Sequence, residues 1–506
     1  MLTKISFLAF VLCLSLVKSA VTPGMVISRS FTDVANNIRA ILPNALGDVS
    51  YTKLGKFNFT TLDSKTSVVC NITNIVLLNS TMKSTPALVN VMISSPNFLN
   101  ITLNNFTGTI SYSYSEVGKK INNTGTGYTT FTANLTFFTT VSYGNGLPII
   151  TINKLNYIIT NYTQYNLTNL STAIVTAIQT NLTSYLSNNA TAFFIAAFQN
   201  QTNSYISRAN YWPTLPGTKV KADLTWVAAP VINYNASLSC QNNYVSFWVN
   251  GTVTTNSSSI SIPTINPPVA LPNRFTNSNA YVGQSQVFIT QFTIDSYYYS
   301  TLKVYGHYTI DTLPTGFPNI LNTNSGYFPE LNKIYPNSPV TLNVTFYDTP
   351  RCYIIGGYGI QGKLPLTVQV LIYSQSTNEW SYPLAYNVTI TFSVNIYFNQ
   401  TVIVGYSYNP IISNLVQINS NAQVGNVNVY YLGRLTTDLF KQYMIFNEGS
   451  YLFPKIPFPY LSGTTFSNVR SRLMQGYIEV DYDPTIPTPS GEEYNRFEAY
   501  QASAGC

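Results

Sequence analysis

The chain has 506 residues, of which 45% are hydrophobic, 14% aromatic and only 8% charged. Its formal charge of +7 forms no basic stripe, which argues against a nucleic-acid partner, and its Tyr-, Thr- and Asn-rich polarity argues against a disordered chain. The length exceeds what one core usually serves, so two domains are expected.

Lys4 precedes an apolar run from Ile5 to Val17, followed by the small residues Ser19 and Ala20. That pattern reads as a signal peptide over residues 1–20, too short to span a bilayer, and predicts a secreted, extracellular chain. Nineteen N-x-S/T acceptors accompany it, with Asn58, Asn71, Asn100, Asn134, Asn181, Asn235, Asn343 and Asn399 as candidate glycosylation sites. Beyond the leader lie Cys70, Cys240, Cys352 and Cys506, which allow three pairings among which the spacing does not choose.

The first helical period runs from Val26 to Leu46, with Ile27, Phe31, Val34, Ile38, Leu42 and Leu46 at three- and four-residue steps. Ile101 to Ser115 and Tyr128 to Tyr143 alternate as strands, joined by a turn over GKKINNTGTG, Gly118 to Gly127. A second helical period extends from about Leu167 to Ile206, its stripe traced by Leu170, Ile174, Ile178, Leu182, Leu186, Phe193, Ala197 and Phe198. Uninterrupted by Gly or Pro, it predicts one helix roughly 60 Å long. INYNASLSC and NYVSFWVNGTVTT read as further strands, and Ser257 to Phe275, with four prolines, as an extended linker.

After the linker, QVFITQFTI and LKVYGHYTI read as strands, Tyr327 to Pro336 opens with a short helix, and strands run from Val340 to Tyr408. Within that run IIGGYGIQGKLPL contains both G-x-G-x-x-G and most of a phosphate loop. Neither fits: a strand, not a helix, follows Pro365, and Leu364 stands where a hydroxyl must reach a metal ion. The glycines mark a hairpin turn. Tyr431 to Phe446 carries Leu432, Leu435, Leu439 and Tyr443 on one helical stripe, MQGYIEVDY closes the fold as a strand, and residues 485–506 read as a polar tail.

The order of these segments resembles the lipid-binding serum glycoproteins, the family of bactericidal/permeability-increasing protein, lipopolysaccharide-binding protein and the phospholipid and cholesteryl ester transfer proteins. The resemblance is carried by PGMVISRSFTDVANNI, LTWVAAPVINYNASL, VFITQFTIDSYYYSTLKVYGHYTI, YFPELNKIYPNSPVTLNVTF, AYNVTITFSVNIYF and FPKIPFPYL. It implies an α+β boomerang of two tandem tubular barrels, each a strongly twisted antiparallel sheet wrapped around a long helix, joined by a central sheet. The barrels would occupy residues 21–256 and 276–484, either side of the linker at 257–275. Each would hold an apolar pocket for acyl chains, reached by transient contact with a membrane or lipoprotein surface. The family's antibacterial members carry basic clusters at the N-terminal tip, but SSPNFLNITLNNFTG has no Lys or Arg, so lipopolysaccharide is an alternative ligand only. The family's N-terminal disulfide also lacks its partners, since no Cys falls between Cys70 and Cys240.

Physical chemistry supports such an interior. About 30 methylenes of a diacyl lipid, at about 0.8 kcal/mol each, oppose extraction by roughly 20 kcal/mol, which only an enclosed apolar groove offsets. The residues expected to line it are Ile27, Phe31, Val34, Ile38, Ile174, Ile178 and Leu182 in the first half, and Phe328, Leu331, Leu435, Leu439 and Tyr443 in the second. Ordinary core packing is the plain alternative for each. The lone histidine, His307, has no partner motif, and Asp481 and Asp483 read as a solvated strand edge. No catalytic residue, cofactor or metal site is expected. A secreted phospholipid-binding protein is the favoured reading, with an extracellular structural or adhesive glycoprotein as the other class.

Overall fold

A computed structural model describes residues 23–46, 52–81, 89–94, 98–119, 122–167, 169–189, 191–207, 211–212, 214–215, 219–233, 243–255, 271, 285–313, 319–399, 402–420, 424–446, 456–457 and 465–485. The expected leader, the Pro-rich segment apart from Leu271, and the tail beyond Thr485 lie outside these residues, as do Asn235, Cys240 and Cys506.

In chain order the first part contains β1 (Met25–Ser30), α1 (Phe31–Leu46), β2 (Thr52–Asp63), β3 (Thr66–Thr81), β4 (Val89–Ser94), β5 (Phe98–Gly118), β6 (Asn122–Gly144), β7 (Leu147–Tyr165), α2 (Thr172–Asn188) and α3 (Thr191–Ser207). Short strands follow: β8 (Val220–Ala222), β9 (Val231–Asn233), β10 (Tyr244–Val249) and β11 (Val253–Thr255). Then come β12 (Ser285–Thr290), α4 (Gln291–Tyr305), β13 (His307–Ile310), α5 (Pro329–Ile334), β14 (Val340–Phe346), β15 (Arg351–Ile355), β16 (Gly359–Ser374), β17 (Glu379–Asn399) and β18 (Val402–Ser420). The last elements are α6 (Val429–Phe446), β19 (Ile456–Pro457), β20 (Thr465–Met474) and β21 (Tyr477–Thr485). The chain is mostly antiparallel sheet with few helices. It forms two compact units that interleave in sequence: one holds Ser28–Ala209 and Ala228–Phe247, the other Asn210–Val227 and Trp248–Asp483 with the residues up to Ile27.

In the first unit β2, β3, β5, β6 and β7 follow one another in the sheet, with β4 paired to β5. The sheet curls as a half-barrel. Its register shifts where Asn74 and Asn105 take left-handed backbone, φ 51° and 58°, between Thr73 and Val76 and between Leu103 and Phe106. Asn tolerates that conformation, and each bulge adds local twist. Strict alternation buries one face of β6 through Phe131, Ala133, Leu135 and Phe137 while Thr130, Thr132 and Thr136 stay half-buried. The expected turn at Gly118 to Gly127 is shorter: Asn122 to Gly127 already belong to β6, since Gly125 and Gly127 lie directly opposite Tyr114 and Tyr112.

The single long helix is corrected to two. α2 ends at Asn188 and α3 begins at Thr191. Asn188 and Asn189 form helix poorly, which favours a break at this point. The four-residue rhythm nevertheless survives the break, because Ile174, Ile178, Leu182, Leu186, Phe194 and Phe198 are all buried. Phe193, expected on that stripe, is 42% exposed.

In the second unit the sheet order is β13, β14, β16, β17, β18, β19, with β15 on β16. The glycine-rich segment forms the expected hairpin, Tyr353 pairing with Gln361 and Ile355 with Gly359, and Gly357 takes φ 75° in its turn. α6 lies along the sheet, burying Leu432, Leu435 and Phe440; Tyr386 Oη and Thr436 Oγ1 are 3.0 Å apart. Two expectations are corrected. Residues 291–294 and 302–305, read as parts of two strands, belong to α4, whose residues from Thr293 to Tyr298 are all buried. A helix covered nearly all round shows no amphipathic period. The closing strand starts at Tyr477, with Gln475 and Gly476 in a turn after an additional strand, β20.

Candidate functional site

The first unit's interior is built from the inward register of the sheet and one face of each helix. Phe31 and Val34 of α1, Ile174, Ile178 and Leu182 of α2, and Phe194 and Phe198 of α3 join the inward residues of β3, β5, β6 and β7 in one apolar cluster. Ile38 packs against it, half-buried. Aromatic rings interlock at its centre: Phe198 meets Phe137 edge-on at 5.0 Å and Phe106 at 5.7 Å.

How the cluster is closed matters for what it can do. β2 and β7 are the two edges of the sheet, and both are tied to helices rather than to strands. Tyr185 of α2 donates from Oη to Leu54 O at 2.8 Å and stacks on Phe57 at 4.6 Å. On the opposite edge, Asn203 of α3 accepts from Ile150 N and donates to Ile150 O, both at 2.9 Å, and Gln199 accepts from Ile152 N at 2.9 Å. The edge backbone is thereby satisfied by side chains, and the seam between the edges is filled by α2 and α3. Half-buried apolar groups flank that seam: Phe57 and Phe59 on β2, Tyr157 and Ile159 on β7, Val175 and Ile195 on the helices.

The expected lining residues are therefore brought together in part. Phe31, Val34, Ile38, Ile174, Ile178 and Leu182 share the cluster. Ile27, expected on the first helix, instead lies buried on strand β1, ahead of the helix that starts at Phe31, and falls in the other unit. Ile178 and Leu182 retain no accessible surface, so their immediate neighbours are other side chains. In the second unit Phe328, Leu331 and Leu435 are likewise fully enclosed and Leu439 is 7% exposed. Tyr327 links the two helices concerned, donating to Asp438 Oδ2 at 2.7 Å beneath the Arg434 guanidinium, 5.0 Å from its ring. Tyr443 lies in α6, its side chain outside the described residues.

Several polar groups escaped the sequence reading. Along the inward face of β5 the residues change from Ile110 to Tyr112, Tyr114 and then Glu116, which is 1% exposed. Burial raises the Glu116 carboxyl above its usual range, opposed by a hydrogen bond from Asn123. Period-two alternation in ISYSYSEV would have placed Glu116 inward. Close by in the same face, Thr129 Oγ1 and Tyr162 Oη are 3.3 Å apart, and Gln164 Nε2 donates to Tyr162 Oη at 3.3 Å. In the second unit Asp295 accepts from Cys352 N at 2.8 Å, and burial pushes its carboxyl up to about 6. Asp481, expected at a solvated edge, is buried: Arg472 Nη2 reaches both Glu479 and Asp481 at 2.7 Å, and Gln286 donates to both carboxylates. Only Asp483 keeps an exposed partner, Asn468 at 2.9 Å.

Cys70 and Cys352 are buried free thiols, the first pushed up to about 11 by burial. His307 is exposed on β13. Among the described residues no group of three or more His, Cys, Asp and Glu could hold a metal ion. Of the candidate sequons, Asn58 is exposed. Asn71 donates to Ser115 Oγ, Asn134 accepts from Asn105 N, Asn181 donates to Ala177 O and Asn343 accepts from Thr309 Oγ1. Asn100 is half-buried, and the side chain of Asn399 lies outside the described residues.

No family model matches the chain, and no curated protein matches it. Among solved structures it is similar to a crystal structure of lipopolysaccharide binding protein, with 14% identity and a TM-score of 0.46 over 92% of this chain and 99% of that one. It is also similar to P47 of Clostridium botulinum E1, with 10% identity and a TM-score of 0.24 over 91% and 99% of the two chains. For P47 from Clostridium botulinum A2 the values are 11%, 0.23, 92% and 98%.

Proposed function

We propose that this chain is an extracellular protein that binds phospholipid or a related amphipathic lipid, without a chemical step. The observation that carries the reading is the seam: a curled sheet with an apolar inner face whose two edges, β2 and β7, are closed by α2 and α3 through side chains alone. Strand pairing along a closed barrel resists opening along its whole length. A few side-chain bonds, each worth about 1 kcal/mol net, do not. An acyl chain entering between helix and edge would meet Phe57, Ile159, Val175 and Ile195, which keep accessible apolar surface, and displace α2 and α3 outward from the sheet. Phe31, Ile174, Ile178 and Leu182 then exchange contacts with one another for contacts with hydrocarbon, at little change in apolar burial.

The test is direct. The secreted protein is purified without detergent, and its bound lipid is measured by native mass spectrometry and solvent extraction. Co-purifying phospholipid, together with movement of fluorescent phospholipid between vesicles, is the expected result. A lipid-free protein that moves none would point to the adhesive glycoprotein instead.

A further inference from the structure

We propose that Glu116 receives the primary ammonium group of the bound amphipath, so that the chain prefers lipids with an amine headgroup. This deepens the lipid-binding reading and rests on it.

Glu116 sits on the inward register of β5, the same-face neighbour of Tyr114 and directly opposite Cys70 of β3 and Asn123 of β6. Its Oε2 accepts from Asn123 Nδ2 at 3.2 Å, while its Oε1 is buried and accepts no hydrogen bond. Among the described residues no Lys or Arg forms an ion pair with it, and the nearby charge of Asp63 is of the same sign. A carboxylate removed from water is strongly disfavoured unless a cation or hydrogen-bond donors replace its hydration. Glu116 has one donor and a vacant acceptor.

The position suits a headgroup. Cys70, Ile72, Tyr112 and Tyr114, around it on the same face, belong to the apolar cluster, whereas Asn123 is exposed. Glu116 thus stands where hydrocarbon surroundings give way to solvent, as the polar end of an amphipath requires. The missing partner is a donor, and this selects among cations: a primary ammonium brings three N–H groups, a trimethylammonium none. The Tyr114 ring, two residues away on the same strand face, lies across Gly125, directly opposite it in the ladder. A charge-assisted hydrogen bond in such surroundings discriminates by about tenfold or more.

Vesicles carrying tail-labelled phosphatidylethanolamine, phosphatidylcholine or phosphatidylglycerol with identical acyl chains are offered to the full chain and to Glu116→Gln. The unaltered protein should load phosphatidylethanolamine over phosphatidylcholine by about tenfold. The variant should load the two alike, with phosphatidylglycerol uptake the same for both proteins. A second arm needs no variant: a long-chain primary amine should displace bound label far better than its trimethylammonium counterpart. Equal loading of ethanolamine and choline lipids by the unaltered protein means that Oε1 takes water or nothing, and overturns this inference alone. So does discrimination that persists in a variant with unchanged circular dichroism. Failure to load any of the three lipids overturns the lipid-binding reading and this inference with it.

Discussion

The ring of Phe392 lies across Gly362, directly opposite it in the β16–β17 ladder, so closely that a Cβ on the glycine would stand 2.1 Å from Phe392 Cζ. The same arrangement recurs in the first unit, where Tyr112 covers Gly127 and Phe131 covers Gly108, each in direct register. A ring laid over a bare backbone packs a curled sheet more tightly than two side chains could. Gly362→Ala forces the ring from its place and should destabilise the second unit by about 1–3 kcal/mol. Gly357→Ala, with nothing within 4 Å but φ at 75°, should cost about 1 kcal/mol through backbone strain alone. Urea unfolding of the two variants checks both the order and the sizes.

Asn203 holds the β7 side of the seam with two hydrogen bonds to one residue, Ile150. Asn203→Ala leaves both backbone groups of Ile150 without that partner and should lower stability by about 1–3 kcal/mol. The Ile150 amide should lose protection in hydrogen exchange while those of the β5–β6 ladder keep theirs. Uniform loss of protection would mean that the seam does not open separately.

Arg472 neutralises two buried carboxylates at once, Glu479 and Asp481. Arg472→Met strands them together, and the expected cost is about 3 kcal/mol or more. Adding Glu479→Gln and Asp481→Asn to that variant should recover much of the loss. If thermal unfolding shows no recovery, the packing of the arginine stem matters more than its charge.

Asp295 carries a carboxyl raised by burial to about 6 from an ordinary 3.8. The folded chain therefore binds this proton more tightly than the unfolded chain. Its contribution is most favourable below about pH 4 and declines as pH rises through about 6, by about 3 kcal/mol at most. Asp295→Asn should remove this decline, so the stability difference between variant and parent should change between pH 4 and pH 7. A difference that does not vary with pH would rule out the raised carboxyl.

Much of the architecture is legible in the residues themselves. Alternation in ITLNNFTGTISYSYS and YTTFTANLTFFTTVSY predicts the paired strands β5 and β6, and Pro365 followed by β-branched residues identifies the glycine-rich segment as a hairpin. Both are local patterns, set by side-chain period and by glycine at positive φ. The apolar stripe of α2 likewise predicts the burial of Ile174, Ile178 and Leu182.

What a local pattern cannot carry is the identity of the neighbour across space. α4 is hidden from periodicity because its surroundings bury nearly every side, and the break before α3 turns on two asparagines that a stripe alone overlooks. Glu116, Asp295 and Asp481 read as ordinary charged residues along the chain. Only the folded sheet sets Glu116 opposite Cys70, hands Asp295 the amide of Cys352, and gives Asp481 the guanidinium of Arg472. Side-chain period along the chain is enough to show which faces are apolar. Which charges are taken out of water follows from the fold, because burial and partnership join residues from 9 to 195 positions apart.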